Sequence, residues 1–476
     1  VDVAALEDGV RAMTRRHDSL RATFHMSNGM PVQRIHAEMP VTIERHQLAA
    51  PAAGETHEEL ARREMSGFVR PFNLEEGPLF RIGHFEFADG VTCIATDFHH
   101  IITDGTSMGI LFGDLETVMG GTCPAPLARG YRAAVGALVE RESGEAMRAH
   151  RRYWSERFAD DVPVLQLVTD WHRPDVVSGA GATLFTEIDA ETSQRLRQFA
   201  RDNDLTPFMV LLATFGQLLS RMSGQHDVVI GSPVMGRPGT DYADLVGMFV
   251  NTLPVRLRTD PATPVAGFLE EVRATVLEAF AHQDCPLELF LQDVEVRREP
   301  GRRPLFDVCF VHQNTDMGLE TGGDEVLSFD DGSAKYDITL STRESGGRLL
   351  LEWEYSTDLF REETIRLYAD RYVQLLTSLI ASAPQEPVSE LRLLPAAEVD
   401  LIRRLATTPS PATESIGIAG LFAARVAEDP EQTAVAAAPG PSPASARAVA
   451  AGTTGVRTTT RPRDRTRRGR RSAARF

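Results

Sequence analysis

Apolar residues along the chain recur with two periods, and the alternation between them sketches a mixed α/β protein. Leu6, Val10, Met13 and Leu20 fall near helical spacing ahead of a turn to Thr23 and Phe24. Apolar-rich runs at Leu79–Phe87 and Val91–Phe98, separated by Ala88, Asp89 and Gly90, predict two strands joined as a hairpin. A helix is predicted from about Gly105, with Met108, Leu111, Phe112, Leu115 and Met119 as its apolar stripe. Thr206 is suited to cap a helix and Pro207 to open it, ahead of a wide apolar face from Phe208 to Met222. Further helices are predicted over about Val265–Phe280 and Glu362–Ile380, and strands at Val228–Ile230, Leu253–Leu257, Phe306–Val311 and Leu349–Tyr355. The Pro-bounded stretch Leu165–Pro174 divides these elements into two lobes, 1–165 and 166–405. Thr407–Glu414, rich in Thr, Ser and Pro, predicts a linker over 406–414, followed by a short helical piece within 415–435. Residues 436–476 carry almost no large apolar side chain and are expected to be disordered.

Composition narrows the class. No apolar run approaches the roughly 18 residues that a membrane span requires, and Val1–Leu6 has no signal-peptide character, so a cytoplasmic address without a membrane is expected by default. The four cysteines, Cys93, Cys123, Cys285 and Cys309, lack CxxC spacing and predict reduced thiols rather than a zinc site; no metal is expected. The net charge is −17; residues 440–476 hold 10 Arg and 1 Asp, +9, leaving −26 for the rest (−17 − 9). An acidic body argues against nucleic acid as a ligand, since such binding depends on neutralising phosphates.

Candidate chemistry concentrates in Asp97-Phe98-His99-His100-Ile101-Ile102-Thr103-Asp104-Gly105, between a predicted strand and a predicted helix. Imidazole is the side chain best suited to exchange a proton near neutral pH. Asp104 can orient the loop through a charged partner, and Gly105 allows close backbone approach and an oxyanion contact. This HHxxxDG pattern resembles the active-site motif of nonribosomal peptide synthetase condensation domains and of related carrier-dependent acyltransferases. Other segments agree in order. Arg16-His17-Asp18-Ser19-Leu20-Arg21-Ala22-Thr23-Phe24 is similar to the family's RHExLRTxF, with Asp18 for Glu and Ala22 for Thr. Val246-Gly247-Met248-Phe249-Val250-Asn251-Thr252-Leu253 resembles its GxFVNT segment, and His282-Gln283-Asp284-Cys285-Pro286-Leu287-Glu288 resembles HQDxPFE with Leu287 for Phe. Arg303-Pro304-Leu305-Phe306 is similar to the family's NPLF-type segment, with Arg303 for Asn, and Lys335-Tyr336-Asp337-Ile338 resembles the closing pattern of the second lobe.

The resemblance implies a pseudo-dimeric, two-lobed fold like that of chloramphenicol acetyltransferase, with a central tunnel. It further implies amide formation between a donor thioester and an acceptor α-amine. Both would be presented by peptidyl carrier proteins on phosphopantetheine arms, with no cofactor attached to this chain. In that frame His100 is the catalytic residue, as general base or as a positioner of the amine, and His99 packs. Asp104 pairs with Arg237, for which a solvated surface Arg is the alternative. Asn314 is either a tunnel residue or a turn residue. Arg16 and Arg21 either brace the active-site loop or face solvent, and the Asn251 and Gln283 segments are architectural. The family pattern also predicts a segment before Val1 that holds the first motif and the first strand, whose absence would expose a strand edge. It reads residues 415–435 as the start of an adjacent adenylation domain and the Arg-rich tail as an aberrant continuation. Epimerization, ester formation by the same fold, and a non-catalytic carrier-docking module are the competing functions; Val250-Asn251-Thr252 favours condensation over epimerization.

Overall fold

The computed structural model describes residues 2–65, 67–313, 332–407 and 418–428. Asn314 and the Arg-rich tail therefore lie outside the described residues. The chain divides into a compact unit over Val1–Ile402 and a second unit over Arg403–Phe476. In the second, the described residues include the helix Ile418–Glu428, on which Phe422 and Val426 are exposed.

The first half of the larger unit runs α1 (Val3–Arg16), β1 (Ala22–Ser27), β2 (Met30–Ile35), β3 (Ile43–Leu48), α2 (His57–Met65), β4 (Phe80–Phe87), β5 (Thr92–Phe98), α3 (Gly105–Met119), α4 (Tyr131–Glu142) and α5 (Glu145–Arg157). Asp2 caps α1 by accepting from the Ala4 amide at 2.9 Å, and Leu6, Val10 and Met13 bury one face of the helix. That face meets α3 so closely that a Cβ at Gly9 would stand 2.6 Å from Leu115 Cδ1. On α3, Leu111 and Leu115 are buried, Met108 and Phe112 are half-buried, and Met119 at the last turn is exposed. The predicted hairpin forms as antiparallel β4 and β5, with Gly90 at φ 90° supplying the turn, and β3 adds to β4 in parallel. Among the described residues β5 is paired on one side only, forming an edge of this three-stranded sheet.

Beyond a stretch from Phe158 to Ala180 without helix or strand, the second half runs β6 (Gly181–Ile188), α6 (Ala190–Asp202), α7 (Pro207–Ser223), β7 (Asp227–Val234), β8 (Asn251–Arg258), α8 (Val265–Ala281), α9 (Leu287–Phe290), β9 (Val308–Gln313), β10 (Ile338–Ser345), β11 (Arg348–Ser356), α10 (Glu362–Ala381) and α11 (Ala396–Thr407). Six strands form one sheet in the order β6-β11-β10-β9-β7-β8, with the β10–β9 and β9–β7 pairs parallel and the others antiparallel. Thr206 caps α7 through the Met209 amide, Pro207 opens the helix, and Gly224 at φ 71° closes it. Every residue from Met209 to Ser220 is buried, so α7 is the central helix of this core, apolar nearly all round. Phe215 on α7 and Tyr372 on α10 both meet the edge of the buried Trp353 ring of β11, and the Tyr372 hydroxyl donates to the Leu211 carbonyl at 3.1 Å. The two halves are clamped together by Arg256 of β8. Its side chain is 2% exposed, and it donates to Asp227 at 2.7 Å, to Asp160 and to the Arg157 carbonyl. Among the described residues no single helix is long and apolar enough to cross a membrane.

Candidate active site

The segment after β5 is shaped by its own side chains. His99 Nδ1 accepts from the Ile101 amide at 3.1 Å, starting a short turn over His100–Ile102 that buries Ile102 completely. His100 Nδ1 lies 2.7 Å from the Thr103 carbonyl oxygen. A carbonyl only accepts, so Nδ1 carries the proton, and in the neutral ring Nε2 holds the lone pair. Burial, and next the neighbouring His100, hold the His99 pKa below the ordinary imidazole value. The His99 ring packs edge-on to Phe72.

Asp104 caps α3 and is also the hub of a buried cluster. Its Oδ1 accepts from the Ser107 amide at 2.8 Å and from Arg237 Nη2 at 2.9 Å, while Oδ2 accepts from the Phe249 amide at 3.0 Å. The Asp104 side chain is 0% exposed and that of Arg237 5%, so the charges need each other. Arg237 also donates to the carbonyls of Tyr242 (2.9 Å) and Leu245 (2.6 Å) and stacks over the Phe249 ring at 4.5 Å. The Ser107 hydroxyl stands 2.7 Å from Asp104 Oδ1, 2.9 Å from the Gly247 carbonyl and 3.0 Å from the Gly247 amide. This cluster fastens the loop after β5 to the connection between β7 and β8.

A cavity of about 740 Å³ lies between the halves, within the size range of small-molecule sites, roughly 300–1,000 Å³. His99, His100 and Ile101 form one side, and Leu138, Arg141 and Met147 of the α4–α5 region another. The second half supplies Met248–Thr252, Gln283–Asp284, Pro286–Glu288 and Lys335. Asn251 holds that wall together: its Nδ2 donates to the carbonyls of Gln283 (2.8 Å) and Cys285 (2.7 Å), and its Oδ1 accepts from the amide of Thr252 at 2.9 Å. Arg141 and Asp284, 2.7 Å apart, close an ion pair across the seam.

The structure thus gathers His99 and His100 on the cavity wall and holds Asp104 and Arg237 behind it. Two expectations need correction. Gly105 is not on the cavity wall; it opens α3 beside empty space at an ordinary φ, so it makes no close backbone approach. Arg16 and Arg21 do not touch the His99–Gly105 loop. Arg16 donates to Asp114 of α3 at 2.7 Å, and Arg21 ties Asp18 to the carbonyls of Thr14, Arg15 and His36. Leu138 and Met147 were not singled out from the sequence, and Lys335 only as part of a family segment, because their places on the wall come from partners far along the chain.

The sequence matches the condensation domain family over residues 1–402. It is 34% identical over 439 residues to surfactin synthase subunit 1 of Bacillus subtilis (strain 168), covering 91% of this chain and 12% of that relative. The chain therefore spans a small part of the relatives it matches. A crystal structure of a four-domain nonribosomal peptide synthetase bound to AMP and glycine superposes with a TM-score of 0.74 at 22% identity, over 82% of this chain and 31% of that one. The condensation domain of the monacolin K polyketide synthase MokA superposes at 0.71 with 21% identity, over 82% of this chain and 91% of that one. These likenesses establish the two-lobed α/β fold.

Proposed function

This chain belongs to the condensation domain family of nonribosomal peptide synthetases, and from that membership we propose that it joins a donor acyl or peptidyl thioester to the α-amine of an acceptor aminoacyl thioester. Both substrates reach the central cavity on phosphopantetheine arms of carrier proteins, and an adenylation domain is the expected neighbour in the assembly.

One observation carries the reading: His100, with Nδ1 committed to the Thr103 carbonyl, offers Nε2 as an acceptor on the wall of the cavity between the halves. A model α-amine has a pKa near ~8, so much of the work is to hold the neutral amine against the thioester carbon. His100 orients that amine and takes up its proton as the C–N bond forms. The C–S bond breaks, and the proton ends on the departing sulfur. Asp104 and Arg237 act as positioning residues, keeping the His100 loop against the β7–β8 connection. His99 serves in packing. Asn251 shapes the wall opposite.

The test supplies donor and acceptor carriers in their loaded forms and follows product by mass spectrometry, with His100→Ala in parallel. An amide product from the parent that falls sharply in the variant supports the assignment. Carrier binding without product from the parent rejects it in favour of a docking module, and an ester or an epimerized donor redirects it to those chemistries.

A further inference from the structure

Where α5 of the first half meets the end of α8 in the second, two imidazoles face each other directly. His150 Nδ1 lies 2.9 Å from His282 Nδ1, and the rings stand at 78° to one another. Two ring nitrogens form a hydrogen bond only when one carries the proton and the other the lone pair. At least one ring of the pair is therefore neutral. A second proton would set two N–H groups and two positive charges against each other across the same gap.

The same helix grips His282 by other means as well. Tyr153 stacks on its ring with centroids 4.0 Å apart, and Trp154 Nε1 donates to its carbonyl at 3.1 Å. Just beyond it, Gln283, Asp284, Pro286, Leu287 and Glu288 line the central cavity. The imidazole pair thus holds the base of one cavity wall against α5. Both histidines are half-buried, so protons from solvent reach them. Burial, and next the charge of His150, hold the His282 pKa below the ordinary imidazole value, with Glu278 of α8 opposing.

The other charged and titratable groups packed here come from α4, α5 and the segment after His282. Arg151 of α5 donates to Asp293 at 2.6 Å and holds its carboxyl below the usual carboxylate range. Arg157, further along α5, donates to the Thr275 hydroxyl at 3.0 Å. At the end of α4, Arg141 pairs with Asp284 at 2.7 Å, and Glu142 stands beside it on the cavity wall. Burial pushes the Cys285 thiol up to about 11 and the Tyr153 hydroxyl up to about 12, so both stay neutral where imidazoles titrate.

We propose that His150 and His282 form a proton-sensitive clasp between the two halves, and that a second proton on the pair releases the cavity wall over residues 283–288. The clasp concerns the shape of the cavity and is independent of the bond formed at His100. Its sign is fixed by the pair. The closed seam is complete above the ordinary histidine value of about 6.5 and is lost progressively as pH falls from there toward the lowered value. One proton of difference changes the ratio of open to closed seam by up to about tenfold per pH unit.

Hydrogen exchange of the full chain at about pH 7.5 and 5.5, each corrected for the intrinsic rate, reads the opening. The amides of Gln283, Cys285 and Leu287 are suitable reporters, because they donate to the Phe280 carbonyl, the His282 carbonyl and Asn251 Oδ1. Their protection is expected to fall at least about threefold at the lower pH, beyond any change in residues 209–220 of α7, which report global unfolding. A glutamine at either position bonds to the remaining imidazole in both of its charge states. The fall should therefore shrink to less than about twofold in His150→Gln and in the reciprocal His282→Gln. A wild-type fall of less than about twofold relative to α7, or an equal fall in the glutamine variants, overturns the clasp. The wild-type comparison decides by itself if a variant loses the protection of α7. Amide formation plays no part in the readout, so failure of the catalytic reading leaves this inference standing, and the reverse.

Discussion

The Nδ1 atom of His100 points its proton at the Thr103 carbonyl oxygen, 2.7 Å away, and thereby fixes the tautomer of the exposed imidazole on the wall of the cavity. Replacing the ring removes the Nε2 acceptor and the Nδ1 contact to Thr103 and little else, since the His100 side chain makes no other hydrogen bond among the described residues and is not part of the core. His100→Ala is therefore expected to lower the rate of amide formation by about 10² to 10⁴-fold, the usual range for a positioned acid–base group. Stability should change by no more than about 0.5 kcal/mol, as for other exposed substitutions. Single-turnover kinetics with saturating carriers, paired with urea unfolding, check both halves of this expectation.

Asp104 and Arg237 make the opposite case. Both are buried, each has several hydrogen bonds to the other side of the seam, and removing one leaves an uncompensated charge. Asp104→Ala and Arg237→Ala should each destabilise by about 3–5 kcal/mol. Because they remove the same interaction, the double variant should be far less unstable than the sum of the two. A double-mutant cycle measured by urea unfolding decides the matter, with additive losses showing that the pair is not the link.

The His99–Asp104 segment was readable from sequence because its determinants are local: a strand end, a turn built by neighbouring side chains and an N-cap three residues before Ser107. The Asp104–Arg237 pairing came from family resemblance, since no periodicity connects positions so far apart. The ties from Asp104 to the Phe249 amide and from Ser107 to Gly247 left no local trace, as they engage backbone groups whose residue type is irrelevant. The same blindness misplaced Arg16 and Arg21, whose motif position says nothing about which carboxylate or carbonyl lies opposite. Among the elements, β7 and β8 were evident from apolar runs buried on both faces, and β11 from an apolar run in which Leu349, Leu351, Trp353 and Tyr355 are buried in alternation. The β2 strand was not, because most of Met30–Ile35 is exposed and its pattern is that of a surface loop.

His312 gives the fold a pH dependence with a definite sign. It sits on β9 with Nδ1 2.8 Å from Thr342 Oγ1, and burial holds its pKa below the ordinary histidine value, with Glu344 opposing in part. Between that lowered value and the unfolded value of about 6.5, the unfolded chain binds more protons than the native one, so stability rises with pH there. His312 is thus expected to cost stability as pH falls below about 6.5 and to add no further loss once pH is below the lowered value. Urea midpoints between about pH 5 and 8 should fall less steeply toward acid in His312→Asn than in the wild type. Parallel curves would show that burial at this position does not control the titration.

Gly236 sits next to Arg237 on the cavity wall, and its backbone geometry is one only glycine adopts freely. Its φ is +61°, and a Cβ there would stand 1.8 Å from the Phe249 carbonyl oxygen and 2.8 Å from the carbonyl carbon. The obstacle is backbone, which cannot swing aside as a side chain does. Phe249 is itself tied to Asp104 through its amide, and its ring supports the Arg237 guanidinium. Gly236→Ala must therefore push the β7–β8 connection away from the His100 loop, combining a left-handed backbone penalty of roughly 1–3 kcal/mol with a direct clash. The expected outcome is a loss of stability larger than that backbone penalty alone, together with weakened coupling between Asp104 and Arg237 in the double-mutant cycle. Gly90→Ala, with positive φ but nothing within 4 Å of its Cβ, isolates the backbone term. If the two substitutions cost the same, the contact between Gly236 and Phe249 plays no part in holding the two halves around the cavity.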